Sequence, residues 1–359
     1  MENNLKLRSK SKSSKSEEPT ESTESINSLK SSLSKIKIPE EGKKEFRKYQ
    51  VLTLVIFLPL AAFYFIFNIS CSFYESNQLK SYDYGEKVNV NGHNMVASIS
   101  GEQNEPTIVL ITGFGSPSPI LHYKPLVETL ADKYKIVVME PFGYGLSDLV
   151  DEERTIDNIV TELHTGIQKL GIQQYYLMSH SMGGLYSLYW SNKYTDEVLG
   201  FIGLDITPPK AEKIVKHAHL VVKLLAIIDY FGFERMQSFS NNKNLLLPLS
   251  SSYDYTEEEI EMFRVITLQK GYNKLHRKEI NSLIKNMSIV RDMKFPSNIP
   301  VLNFVCSAYD EIFSEWKQLH IDVGDKSISN DVIVVPGDHA NFVIDQRETI
   351  SKKIKSWIK

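Results

Sequence analysis

The sequence predicts an α/β protein: a mostly parallel, doubly wound sheet with an inserted helical cap, preceded by one transmembrane helix. Three observations carry this expectation. From residue 85 onward short apolar runs alternate with amphipathic stretches; a long block of helical pattern interrupts that alternation after residue 206; and residues 51–69 contain no charge.

Residues 1–45 are rich in Ser, Lys and Glu and nearly free of aromatics, so they bury too little apolar surface to offset chain entropy and are expected to be disordered. Ile26, Leu29, Leu33 and Ile36 recur there at helical spacing, and the alternative is a short basic helix lying on a surface. Residues 1–49 hold twelve Lys and Arg against eight Asp and Glu, yet the whole chain has a net charge of −3. The remainder is therefore acidic, which argues against nucleic acid as a partner.

Residues 50–73 are predicted to span a lipid bilayer as a single-pass helix. "VLTLVIFLPLAAFYFIFNI" (51–69) is uncharged, and at about 1.5 Å per residue it covers roughly 30 Å of hydrocarbon. Phe63, Tyr64, Phe65, Phe67, Phe73 and Tyr74 crowd one end, as an interfacial belt does. A core helix is rarely apolar all round, and a signal peptide has a shorter apolar run ending in a small-x-small site. Cys71 in "NISC" approximates a lipoprotein box, but Asn68 stands where that box wants an aliphatic residue. Lys43, Lys44, Arg47 and Lys48 precede the span whereas only Lys80 follows closely, so the N-terminus is expected in the cytoplasm and the main body outside it.

Residues 85–206 and 298–359 are expected to form the two parts of one α/β core. "KVNVNGHNMVAS" alternates around Asn91-Gly92, a hairpin signal. "TIVLIT" (107–112), "KIVVME" (135–140), "YYLMSH" (175–180), "GFIGLDI" (200–206), "PVLNFV" (300–305) and "DVIVVPG" (331–337) are near-continuous apolar runs, as strands buried on both faces require. "YKPLVETLADKY", "TIDNIVTELHTGIQKLG" and "GGLYSLYWSNKY" supply helices between them. The interval 207–297 is too long for a crossover and reads as a helical cap; within it Thr256 and Glu259 form a capping box that opens the block 256–287. The block 211–232 reads as its other helix. Cys71 and Cys306 are the only cysteines, so no disulfide framework or Cys-based metal site is expected.

A parallel sheet presents its ligand site at the carboxyl ends of its strands. Ser181 directly follows "YYLMSH", with Ser179 two before it and Gly183 and Gly184 after, close to the G-x-S-x-G turn that holds a strained nucleophile between small neighbours. Its hydroxyl needs a base. His339 in "VVPGDHANF" follows the last strand and is the first choice; His320, inside a helical stretch, is the alternative. The matching acid is sought after a strand, where a carboxylate can fix the imidazole tautomer. Asp310 in "PVLNFVCSAYDEIF" is the first choice, Asp205 at the end of "GFIGLDI" the second and Asp338 the third. The backbone N–H groups of Met182 and of Phe114, in "ITGFGSPSP", are expected to form the oxyanion hole.

"TGFGS", "PFGYGLSD", "SHSMGG", "SAYDEIF" and "PGDHANF", taken together and in order, resemble the α/β-hydrolase superfamily in its capped, serine-nucleophile branch, over residues 85–357. Thr112 stands where the family usually has His, and Ser179 where it has Gly. The resemblance implies the α/β-hydrolase fold and an ester, amide or similar small-molecule carbonyl substrate turned over through an acyl-enzyme, with no metal or organic cofactor. It also admits an aminopeptidase-type peptidase on the same triad, with Glu257, Glu258, Glu259 and Glu261 as amine ligands, or a non-catalytic binding protein that kept the fold.

Other features read as structural. Gly143 and Gly145 lack the third glycine of a dinucleotide turn. His217 and His219 point to opposite sides of a helix and do not pair on a metal. Tyr186, Tyr189 and Trp190 recur at helical spacing and are expected in the core, while Tyr123 and Phe142 suit either the core or an acyl pocket.

Overall fold

The computed structural model describes residues 40–216, 233–238 and 249–358. The tail expected to be disordered, apart from its last few residues, lies outside the described residues, as do His217, His219 and the larger part of the block 211–232. The chain divides into two compact units, residues 1–66 and 67–359. Among the described residues the first unit is the leading part of helix α1 (Glu40–Ser81, 42 residues), a helix long and apolar enough to cross a membrane by length and composition. Its large apolar side chains, including Val51, Phe57, Phe63 and Ile66, are exposed.

The second unit is built on an eight-stranded sheet in the order β1-β2-β4-β3-β5-β6-β7-β8. Strands β1 (Glu86–Val90) and β2 (His93–Ser100) form the hairpin read from Asn91-Gly92. Both turn residues have positive φ, 54° and 87°, as the tight turn between twisted antiparallel strands demands. Strand β2 also pairs antiparallel with β4 (Lys135–Glu140), and every later pairing is parallel. The remaining strands are β3 (Thr107–Ile111), β5 (Tyr175–His180), β6 (Val198–Leu204), β7 (Val301–Cys306) and β8 (Asn330–Val335).

Alternation along the strands splits the core into two faces. Val109, Val137, Leu177, Phe201 and Val301 pack on one side with helices α3 (Ile156–Lys169) and α4 (Gly183–Lys193). Ile108, Leu110, Ile136, Met178, Ile202 and Leu302 pack on the other with α2 (Pro119–Leu130). Each fully buried Val or Leu contributes about 1.5–3 kcal/mol, which explains runs with no polar alternation. Strand β8 departs from that expectation: it is the sheet's edge and most of it is half-buried.

Between β6 and β7 the described residues contain α5 (Phe233–Ser238), α6 (Glu257–Lys270) and α7 (Lys274–Val290). The Thr256–Glu259 capping box is formed in full. The block 256–287 holds two helices, because after Lys270 Asn273 caps α7 by accepting from the N–H groups of Leu275 (2.8 Å) and His276 (3.2 Å). Within the second unit the end of α1 is tied to this insertion. Glu75 is buried, accepts from Arg235 of α5 (2.9 Å) and Gln269 of α6 (3.0 Å), and pairs with Arg264 (3.5 Å). After β7 come α8 (Ser307–Ile312), α9 (Trp316–Val323), α10 (Phe342–Asp345) and α11 (Arg347–Trp357).

Candidate active site

The carboxyl ends of β5 and β6 and the loop after β8 converge on one point. Ser181 follows β5 with φ 53°, and Asp205 follows β6 with φ 47°. Both occupy the left-handed region that non-glycine residues rarely adopt, at a cost of order 1–3 kcal/mol each. His339 lies between them. Its Nε2 is 2.9 Å from Ser181 Oγ, and its Nδ1 is 2.5 Å from Asp205 Oδ2. With Nδ1–H donating to the carboxylate, Nε2 is left to accept from the serine hydroxyl.

The packing explains the small residues around Ser181. A Cβ on Gly113 would lie 2.7 Å from Ser181 Cβ, and one on Gly183 would lie 2.7 Å from the Thr112 carbonyl oxygen. The strand β3 loop therefore passes directly over the turn. Ser179 is fully buried between β3 and β6, beside Ile111 and Gly203 in the register. Gly113, Phe114, Gly115, Ser116, His122, Tyr123, His180, Ser181, His339 and Ala340 line one cavity of about 170 Å³. Among the described residues, neither Phe114 nor Met182 spends its N–H on a backbone or side-chain acceptor, and Phe114 is in the cavity wall.

The acid differs from the first expectation. Asp310, in the short helix α8, is half-buried and makes no hydrogen bond to His339. The helix begins as soon as β7 ends and turns its Tyr309 ring flat against the His339 imidazole, 4.6 Å between centroids and 8° between planes. Asp205 takes the Nδ1 position instead. Asp338 accepts from the N–H groups of Ala340 (2.9 Å) and Asn341 (3.0 Å), shaping the loop that carries His339. His320, the alternative base, is fully buried behind the site, with Nδ1 on the Trp316 carbonyl (2.8 Å).

Three comparisons with known proteins bear on the fold. A family model described as alpha/beta hydrolase fold matches residues 106–222. Among solved structures, Cfl2 of Burkholderia cenocepacia superposes with a TM-score of 0.61 at 15% identity, covering 76% of this chain and 95% of that one. A laboratory-evolved variant of potato epoxide hydrolase gives 0.61 at 17%, covering 77% and 98%. The chain has the α/β-hydrolase fold. Among curated proteins, the uncharacterized protein YbdG of Bacillus subtilis (strain 168) is 27% identical over 258 residues, 69% of this chain and 78% of that one. The 3-oxoadipate enol-lactonase 1 of Acinetobacter baylyi is 29% identical over 101 residues, 28% of this chain and 37% of the lactonase.

In this fold the carboxylate of Asp205 is buried yet charged. Burial works to raise its pKa, but the His339 imidazole, the Trp316 indole and the Cys306 thiol hold it below the ordinary carboxylate range. Trp316 Nε1 donates to Oδ1 at 2.8 Å, the Cys306 N–H donates to Oδ1 at 3.1 Å, and the Cys306 thiol donates to Oδ2 at 3.0 Å. Asp205, Cys306 and His339 offer three possible metal-ligand atoms within 4.8 Å of one another. Direct Asp205–His339 and Cys306–Asp205 hydrogen bonds already occupy that space.

His180 is a second imidazole beside the site. Its Nε2 donates to the His339 carbonyl (2.9 Å), and Nδ1 accepts from the Tyr123 hydroxyl (3.0 Å). Burial, with the neighbouring imidazoles of His339 and His122, pushes its pKa down to about 3, so it remains neutral and positions the His339 backbone. Tyr123, raised to about 12 by burial, also reaches Thr112 Oγ1 at 3.5 Å, so Thr112 takes part in the loop's hydrogen bonding. Phe142 lies in the core instead, as do Tyr186 and Trp190, with Tyr189 packed against it. Gly143 and Gly145 form a turn in which the Leu146 N–H donates to Glu140 (2.9 Å). His180 and Cys306 end β5 and β7, Tyr309 and Trp316 lie in the segment after β7, and none of the four had any further signal in the sequence.

Proposed function

We propose that this protein is a serine hydrolase that cleaves an ester or related carbonyl substrate through an acyl-enzyme. The observation that carries the reading is His339 hydrogen-bonded at once to Ser181 and Asp205. Ser181 Oγ attacks the carbonyl carbon as its proton passes to His339 Nε2. The charge on the substrate oxygen is met by the N–H groups of Phe114 and Met182 and by the positive end of α4. His339 returns the proton to the leaving group, and a water deprotonated by the same nitrogen then releases the acyl group. Asp205 stays ionised throughout and holds the imidazole in the required tautomer. The roles rest on geometry, and the relatives named as hydrolases support the reaction class.

The same reading makes α1 a bilayer anchor with the catalytic body outside the cytoplasm, supported by its exposed apolar surface and the basic residues before it. A peptidase is the weaker alternative. Of the acids considered for an amine, Glu259 closes its own capping box and pairs with Lys124, and Glu261 pairs with Arg264. A binding protein that kept the fold would not require the two strained residues at the triad.

The test is turnover of p-nitrophenyl esters and aminoacyl anilides by the full chain in detergent, beside Ser181→Ala. Ester hydrolysis lost in the variant is expected. Equal rates in both proteins, or anilide cleavage alone, would remove the ester hydrolase reading.

A further inference from the structure

The acid of the triad comes from β6, but the groups that hold it come from the segment after β7. Asp205 Oδ1 accepts from the Trp316 indole (2.8 Å) and the Cys306 backbone N–H (3.1 Å). Oδ2, the oxygen that receives His339 Nδ1–H, also accepts from the Cys306 thiol (3.0 Å). Trp316 is 2% exposed and Asp205 and Cys306 are fully buried, so these bonds form out of water. Tyr309, from the same segment, stacks on the His339 ring and lies edge-on to Trp316, 5.3 Å between centroids. One short stretch, residues 306–316, thus touches both the acid and the base.

We infer that Trp316 is a positioning residue for the triad: its indole N–H fixes the rotation of the Asp205 carboxylate so that Oδ2 faces His339, with the Cys306 thiol as a second, weaker tie. The inference rests on the serine hydrolase reading for its kinetic consequence, while the geometry it describes does not depend on turnover. A carboxylate at a residue with φ 47° has no regular secondary structure to fix it. With Trp316 Nε1 removed, Oδ1 keeps only the Cys306 backbone donor. The carboxylate can then rotate away from the line to Nδ1, which weakens its hold on the imidazole. The titratable groups around the pair are His180 of β5, Cys306 of β7, Tyr309 of α8, His320 of α9 and Asp338 beside His339. Burial and the Asp205 charge push the Cys306 thiol pKa upward, so it is a donor and not a thiolate at neutral pH.

The test is Trp316→Phe in the full chain, with Cys306→Ser as the companion that keeps a donor at Oδ2. Loss of one hydrogen bond to a buried charge is expected to lower kcat about tenfold with KM within about twofold. The acid limb of the pH–kcat profile should move to lower pH, because a carboxylate turned away from Nδ1 stabilises the protonated imidazole less. Cys306→Ser keeps a donor at Oδ2 and should lower kcat less than Trp316→Phe does, and a larger loss in Cys306→Ser would overturn the inference. A Trp316→Phe protein that loses thermal stability but keeps kcat and pH profile would show a purely structural residue and overturn the inference. So would unchanged values throughout.

NMR of the His339 ring separates this from the function itself. In Trp316→Phe the Nδ1–H resonance should shift and exchange faster with solvent, whether or not any ester is turned over. An unmoved resonance overturns the inference even if hydrolysis is confirmed. A moved one with no hydrolysis by the parent leaves the positioning role and removes the proposed reaction.

Discussion

Replacing Asp205 by Asn separates the two candidate acids. The carboxylate is 2.5 Å from His339 Nδ1 and buried, and in the proposed mechanism it carries the charge that stabilises the imidazolium formed during attack. An amide at the same place is neutral and can turn its NH₂ toward Nδ1. That favours the tautomer with the proton on Nε2, which cannot accept from Ser181. Both effects act in the transition state, so Asp205→Asn is expected to lower kcat about 10³-fold or more, roughly 4 kcal/mol of barrier. Asp310→Asn touches no hydrogen bond of His339 and is expected to stay within about threefold. The assay is steady-state hydrolysis of a p-nitrophenyl ester by the full-length chain in detergent, with circular dichroism to verify that each variant is folded. Near-normal kcat in folded Asp205→Asn, with collapse in Asp310→Asn, would refute the assignment of the acid.

Other outcomes follow from groups around the site and the insertion. Burial lowers the pKa of His122 and His276 to about 4 and that of His180 to about 3. The unfolded chain therefore binds these protons first, and stability should fall as pH drops from about 6.5 toward 4, by about 1 kcal/mol per pH unit for each histidine; denaturant unfolding across that window with no dependence on pH would contradict it. Glu75→Ala leaves Arg235 and Arg264 facing an empty, largely buried site and should cost about 3 kcal/mol in chemical denaturation, whereas a loss below about 1 kcal/mol would show the cluster to be solvated. Gly113→Ala places a methyl 2.7 Å from Ser181 Cβ and should reduce ester turnover at least about tenfold with little change in secondary structure; an unchanged rate would mean the loop yields freely.

The strands were legible because their positions are buried on both faces, so no polar alternation interrupts runs such as "TIVLI" and "KIVVME". The hairpin was legible in Asn91-Gly92, and the Thr256–Glu259 box in its spacing, since both are local. Ser181 and His339 could be selected for a similar reason: Ser181 directly follows β5 and His339 comes four residues after β8, each in a stretch whose small neighbours announce a tight turn. Asp205 and Asp310 could not be ranked that way, as Asp205 directly follows β6 and Asp310 lies four residues after β7. What separates them is long-range. The choice depends on a positive φ at Asp205 and on the indole of Trp316, 111 residues further along the chain. The clasp of Glu75 by Arg235, 160 residues away, was equally invisible, because a single Glu at the end of an apolar helix reads as solvated. The break between α6 and α7 is marked in the sequence only by Gly271 and Asn273, and the capping role of Asn273 appears only when its side chain is seen on the Leu275 and His276 N–H groups.

The most direct measurement is the mass of the protein after reaction with a fluorophosphonate, followed by peptide mapping. A nucleophile activated by His339 should take up one phosphonyl group per chain, on Ser181, and folded Ser181→Ala should take up none. Full-length, folded protein that remains unmodified, or that is modified to the same extent in Ser181→Ala, would contradict the assignment of Ser181 as the nucleophile.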